Sequence, residues 1–164
     1  MHFEIEQVIT GPVDAVAEVY TEPRFYEMLG ELPGLGRPEV LDRREDGSVV
    51  YLSVRFRFTG NLSPAVTKVL DPSRLSWIEE SAHDLARHTV TFHMKPDNYA
   101  DRLRFEGSSR FEAAGDGRTR RLAHGDVAVR VPLLGRTVEA AIVSGLREHL
   151  TAEVEVVEQL VADL

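Results

Sequence analysis

The stretch RTVEAAIVSGLREHLTAEVEVVEQLVADL, Arg136 to Leu164, decides how this chain folds. Ile142, Leu146, Leu150, Val157, Leu160 and Leu164 fall on one stripe of a helical wheel, which predicts a single amphipathic helix to the end of the chain. At about 1.5 Å per residue it reaches roughly 40 Å, enough to cross a whole sheet. Ser144-Gly145 interrupts it. A mid-helix glycine costs about 1 kcal/mol against alanine, so it predicts a bend or a close backbone approach.

What precedes the helix is mostly strand. His2 to Ile9 alternates, with Phe3, Ile5 and Ile9 on one face and Glu4 and Glu6 on the other. Gly11-Pro12 ends it and opens a short helix with Val13, Val16, Ala17 and Tyr20 at helical spacing. Glu22-Pro23 opens a second short helix, with Phe25, Met28 and Leu29 as its stripe and Gly30 soon after. Strands are predicted over Val40 to Arg44, Ser48 to Phe58, Leu75 to Ser81, Arg87 to Lys95, Arg102 to Ala113 and Thr119 to Val131. Ser63-Pro64 reads as a cap and first position of a one- or two-turn helix through Leu70, with a strand over Ala65 to Leu70 as the alternative. The clean alternation of Val50, Leu52, Val54, Phe56 and Phe58 against Tyr51, Ser53, Arg55 and Arg57 implies an antiparallel sheet with one covered face.

Pairing the strands as simple hairpins places Trp77 opposite Phe92, Phe92 opposite Phe105, and Phe105 opposite Val127. In the next row Val90 meets Gly107, and Gly107 meets Gly125. Two adjacent glycines remove side-chain bulk, so the sheet is expected to carry an aromatic band with a hollow beside it.

The composition excludes several classes of function. There are no cysteines, which rules out disulfides, thiolate catalysis and cysteine-ligated zinc or iron–sulfur sites. A net charge of −8 argues against nucleic acid, whose binding relies on phosphate neutralisation, and against an anionic membrane surface. No apolar run approaches a membrane span, so no integral membrane association is expected. The opening MHFEIEQVI has neither a basic region nor an apolar core of signal-peptide type, and a cytoplasmic protein is expected. Residues 1–164 show no linker or repeat and read as one domain.

Few residues are candidates for chemistry. His149 and Glu153, four apart on the closing helix, intrude on its apolar stripe. Two placements are open: both face a cavity as a polar anchor or an acid–base pair, or the helix is rotated and both reach water. Glu79 and His88 share the inward parity near the turn from Ser81 to Arg87, where strand ends are usually wet. His83, His88 and His93 are spaced and faced wrongly for a metal, and neither a metal nor a cofactor is expected. Ser108 and Ser109 lack the context of a nucleophile elbow. Arg118, Arg120 and Arg121 read as a solvated, pairing-averse edge.

The pieces FEIEQVI, GPVDAVAEVYTEPRFYEML, the strand run and DVAVRVPLLGRTVEAAIVSGLREHL together resemble the START / polyketide cyclase / Bet v 1-like superfamily. The turn Val131 to Gly135 and the segment Pro64 to Leu70 resemble a domain-of-unknown-function branch of it. The resemblance implies an α+β helix-grip fold: a seven-stranded antiparallel sheet curved around a long C-terminal helix, with two short helices after the first strand. The superfamily spans lipid and hormone binders, cyclases and chaperone activators, and no catalytic motif transfers to this chain.

The expected function is therefore binding of a small apolar or amphipathic ligand between sheet and helix. Its lining would be Val54, Phe56, Trp77, Val90, Phe92, Phe105, Ile142, Leu146, His149 and Glu153. The alternatives are a cyclase or hydratase-type enzyme using His149 and Glu153, and a protein-interaction module working through the outer sheet face. Outward Arg55, Arg57, Arg102, Arg104, Glu106 and Arg110 argue against the last.

Overall fold

The computed structural model describes residues 1–164. Strand β1 (His2–Thr10) is followed by helices α1 (Val13–Val19) and α2 (Pro23–Leu29). Strands β2 (Glu39–Asp46) and β3 (Val49–Arg57) lead to the short helix α3 (Pro64–Thr67) and a 3-10 turn over Pro72–Arg74. Strands β4 (Ser76–Asp84), β5 (Thr89–Pro96), β6 (Leu103–Ala113) and β7 (Arg118–Val129) complete one sheet, and α4 (Gly135–Ala162) closes the chain. The seven strands run in the order β1-β7-β6-β5-β4-β3-β2, every pair antiparallel. This is the helix-grip α+β architecture. Between Pro64 and Leu70 the helical alternative is the one formed, with the Ser63 hydroxyl accepting from the Val66 N–H at 3.4 Å.

Helix α4 is continuous through Ser144-Gly145. A Cβ added at Gly145 meets nothing within 4 Å, so this glycine does not mark a close backbone approach. The buried face of α4 is Val138, Leu150, Glu153, Val156, Val157 and Leu160. Ile142 and Leu146 are half-buried, and Leu164 lies past the end of the helix and is exposed. The helix makes its close contacts with β1, β7, α1 and α2. The apolar interior falls into two clusters. One joins α1, α2 and the C-terminal half of α4 to β3; the other joins β1, β7 and α3 to the N-terminal half of α4.

The register of β6 on β7 is as expected, with Phe105 opposite Val127 and Gly107 opposite Gly125. The two preceding pairings are slipped. Trp77 faces Pro96, Phe92 faces Ser81 and Gly107, and Val90 faces His83 and Ser109. The β5–β6 slip goes with the turn at Tyr99, whose φ is 62° and whose carbonyl accepts from Arg102 and Leu103 at 2.8 and 2.9 Å, and the β4–β5 slip with the hairpin before it. Strand β4 runs on to Asp84, whose carboxylate accepts the N–H groups of Ala86 and Arg87 at 3.1 and 3.0 Å. His88 closes the turn at a φ of 55°. Both slips are by an even number of residues, so every side chain keeps its predicted face.

On the concave face the glycine pair does not leave a hollow. A Cβ on Gly107 would lie 2.8 Å from the ring of Phe92, and one on Gly125 would lie 2.9 Å from the ring of Phe3. The rings occupy the space, and Phe3 and Phe92 each pack at 5.6 Å from Phe105. Gly125→Ala also drives its Cβ into the Glu106 carbonyl and to 2.8 Å from Gly107 Cα. Because backbone cannot yield as a side-chain tip does, the substitution is expected to cost about 1–3 kcal/mol, read as a lowered urea midpoint at unchanged slope.

Candidate functional site

The site forms where α4 crosses the concave face. Arg121 on β7 points inward, on the parity of Thr119, Ala123 and Val127, while Arg118 and Arg120 point outward to Asp116 and Glu6. The expectation of a solvated basic edge is corrected here on two counts. Strand β7 is flanked by β1 and β6 and is no edge, and alternation sends Arg121 alone into the protein.

Its partner is Glu153 of α4. Arg121 Nη1 donates to Glu153 Oε1, with side-chain exposures of only 12% and 5%. Nη1 also lies 3.3 Å from Gln7 Oε1 and 3.2 Å from the Tyr20 hydroxyl, which donates to Glu153 Oε1 at 3.2 Å. Gln7 in turn donates to the Leu150 carbonyl, tying β1 to α4. Arg121 Nε reaches Ser109 Oγ at 3.4 Å, and the guanidinium lies 4.6 Å from the centroid of the Tyr20 ring. Burial alone would weaken the guanidinium's hold on its proton, but Tyr20 and Glu153 outweigh it and hold Arg121 more firmly charged. Burial likewise pushes the Tyr20 hydroxyl up, so it stays a neutral donor. The network spends Nη1 and Nε; Nη2 makes no hydrogen bond to the protein and remains a free donor edge.

His149 lies one turn before Glu153, with Nε2 3.7 Å from Glu153 Oε2. Its Nδ1 is buried without a hydrogen-bond partner. Of the two placements left open by the helical wheel, the inward one is found: Glu153 is buried and His149 largely so. Glu153 accepts from Arg121 and Tyr20, so its role is to hold a network as well as to adjoin the imidazole.

Strand β4 forms the opposite wall. Trp77, Glu79, Ser81 and His83 alternate along its concave face. Ser81 Oγ is 2.9 Å from His83 Nε2, and His83 Nδ1 is buried and unpartnered. Burial, then Arg121, lower the His83 pKa to about 4, so this imidazole is neutral. Glu79 sits at mid-strand, not beside the turn, and is only part-buried. Burial raises its carboxyl pKa to about 7, with Arg121 opposing and Glu153 adding to the rise. His88 lies on the turn, outside β5, with Nε2 2.6 Å from Asp14 Oδ1. It does not join the site.

The aromatic lining divides. Val54, Phe56 and Val90 are buried core, with Phe56 stacked on Trp77 at 5.8 Å. Trp77, Phe92, Phe105, Ile142 and Leu146 are inward-facing yet only half-buried. Tyr20, Gln7, Arg121 and Ser109 were not among the expected site residues. The parity of Arg121 with Thr119 and Ala123 was the available signal for one of them. On the convex face a shallow depression of about 460 Å³ is lined by polar groups, among them His93, Glu106, His124 and Asp126. No group of three or more His, Asp or Glu side chains is arranged to hold a metal ion. No helix is long and apolar enough to cross a membrane.

Topology, the two short helices after β1 and the long closing helix define an α+β protein of the helix-grip fold. Within it, the chain belongs to the family described as "Protein of unknown function (DUF2505)", which matches residues 4–161. No curated protein matches in sequence. Solved structures are similar in fold. A Thermus thermophilus protein, TTHA0849, superimposes with a TM-score of 0.71 at 16% identity, covering 99% of this chain and 98% of that one. Norcoclaurine synthase from Thalictrum flavum gives 0.66 at 17% identity, with coverages of 100% and 87%. The Zhui aromatase/cyclase from a Streptomyces species gives 0.58 at 21%, with coverages of 98% and 87%. At these identities the likeness is one of fold.

Proposed function

We propose that the protein binds a small amphipathic molecule in the groove between α4 and the β4–β6 part of the concave sheet. The observation that carries this reading is the half-buried state of Trp77, Phe92 and Phe105 beneath a helix that packs on β1 and β7. Apolar side chains aimed at the interior are expected to be covered, and a ligand is the natural cover. The free Nη2 edge of Arg121 and the unpartnered Nδ1 of His149 supply orientation at one end. Named neighbours of this fold act on or bind small molecules, which fits a groove of this kind.

The test is native mass spectrometry of the purified protein with identification of co-purifying molecules, followed by thermal shift across lipids and aromatic compounds. A ligand at a hundred times its Kd should stabilise the fold by about 2.7 kcal/mol. An apo mass together with no stabilisation across the panel sinks the reading.

A second reading keeps a cyclase or hydratase-type reaction, favoured by the inward placement of His149 beside Glu153. In it His149 exchanges the proton and Glu153, fixed by Arg121, orients the imidazole. Turnover of the co-purifying molecule that falls at least a hundredfold in His149→Gln, with binding retained, supports this over carriage.

A further inference from the structure

Glu79 is left out of the Arg121–Glu153 network. It stands on the concave face of β4 between Val54 and Met94 of the neighbouring strands, two residues from Trp77 on the same face. No hydrogen bond contributes to the state of its carboxyl, and its side chain is only part-buried. Arg121 of β7 and Glu153 of α4 act on it, and its own charge acts on the Tyr26 hydroxyl of α2. His149 lies on the same side of α4 as Glu153, and His83 points inward from Glu79's own strand. Arg121 is already balanced by Glu153 in direct contact. An ionised Glu79 is therefore a poorly hydrated negative charge with no cation of its own, beside the half-open indole of Trp77.

That pairing of groups suits one chemistry. An organic cation gains Coulomb attraction from the carboxylate and from the π face of the indole at once. An anionic group is repelled there, and a purely apolar group leaves the carboxylate desolvated and unpaired.

We propose that Glu79 and Trp77 form a cation subsite, and that the ligand of the groove carries a protonated amine on its apolar body. The inference rests on the groove reading above and adds the chemical class of the ligand. Binding such an ammonium favours ionised Glu79. A proton is therefore released from the Glu79 carboxyl to solvent as the complex forms, in the range where the free protein still holds it.

Isothermal titration with naphthylethylamine and its uncharged counterpart naphthylethanol tests this near neutral pH, in two buffers of different ionisation enthalpy. The amine is expected to bind the native protein about tenfold more tightly than the alcohol, with net proton release. In Glu79→Gln the preference and the proton release should both vanish, while the alcohol binds at least as tightly as to the native protein, because no carboxylate is left to desolvate. Trp77→Leu should reduce the preference without abolishing proton release. Equal affinities in the native protein, a preference that survives Glu79→Gln, or amine binding without proton release each overturn the cation subsite while leaving the groove intact. Binding of neither probe overturns the groove and the subsite together.

Discussion

Arg121→Leu is expected to destabilise the protein by about 3–5 kcal/mol, with a similar loss in Glu153→Leu. Each single change strands a charge that is almost out of reach of water: Glu153 without its guanidinium, or Arg121 without its carboxylate. The stranded group keeps hydrogen bonds with Tyr20, and Arg121 also keeps Gln7, but these polar partners cannot neutralise it. The double variant Arg121→Leu/Glu153→Leu should recover most of the loss. Two charges no longer need to be desolvated, and the surrounding Tyr20 and Phe111 rings accept an apolar neighbour. Urea unfolding of the four proteins closes the cycle. Single losses below about 1 kcal/mol would mean that the pair is in practice solvated, as surface pairs are. A stable double variant that no longer binds would show that the pair is kept for the ligand rather than for the fold.

The second large effect is a pH dependence that one substitution should reverse. The Glu79 carboxyl is held at about 7 in the folded protein against an ordinary 4.5. Between those values the folded state binds the proton better than the unfolded chain, so stability falls as pH rises through the window and is fully present only below it. His83 acts oppositely. Its folded value is about 4 against an ordinary 6.5, so its contribution is present above 6.5 and is lost as pH falls towards 4. The two slopes nearly cancel through mildly acid pH. In Glu79→Gln the His83 slope is left unopposed, and the lowered carboxyls of Asp71, Glu80 and Glu139 act in the same direction. That variant should be more stable than the native protein by about 1–3 kcal/mol at pH 8, and should lose stability on acidification below about 6.5. Denaturant midpoints of both proteins across pH 4–8 give the answer. Equal stability at pH 8 would place Glu79 in ordinary water and remove the physical basis of the cation subsite. The gain at pH 8 also carries a message about function: the native chain retains a group that weakens its own fold where it is ionised.

Much of the site was legible once alternation had been read. Period-two patterning assigned Trp77, Glu79, Phe92 and Phe105 to the concave face, and an even register slip cannot move a side chain to the other face. Which residues lie opposite one another was not legible. That depends on where a hairpin turns, and here the Asp84 carboxylate and the left-handed His88 move the turn outward from the position expected from composition. The wheel placed His149 and Glu153 near the apolar stripe of α4 but could not fix the rotation of that helix, because a small angular error carries a flanking residue from core to water. Arg121 was hidden for a different reason. In sequence it belongs to a run of three arginines with a common surface role, and its inward direction matters only because Glu153 waits there, 32 positions later in the chain.

The sequence by itself determined the α+β class, the order of elements, the curved sheet under a single long helix and the face of almost every strand residue. These follow from local periodicity, capping and turn chemistry, which act over a few residues. Only the tertiary structure decided that the interior beneath α4 is polar at its centre. Gln7, Tyr20, Arg121 and Glu153 come from four separate elements, and of these only Glu153 stood out in the sequence, while the other three read as ordinary surface or core residues. Their meaning comes from mutual desolvation, a property of the assembled interior that no local stretch of chain contains.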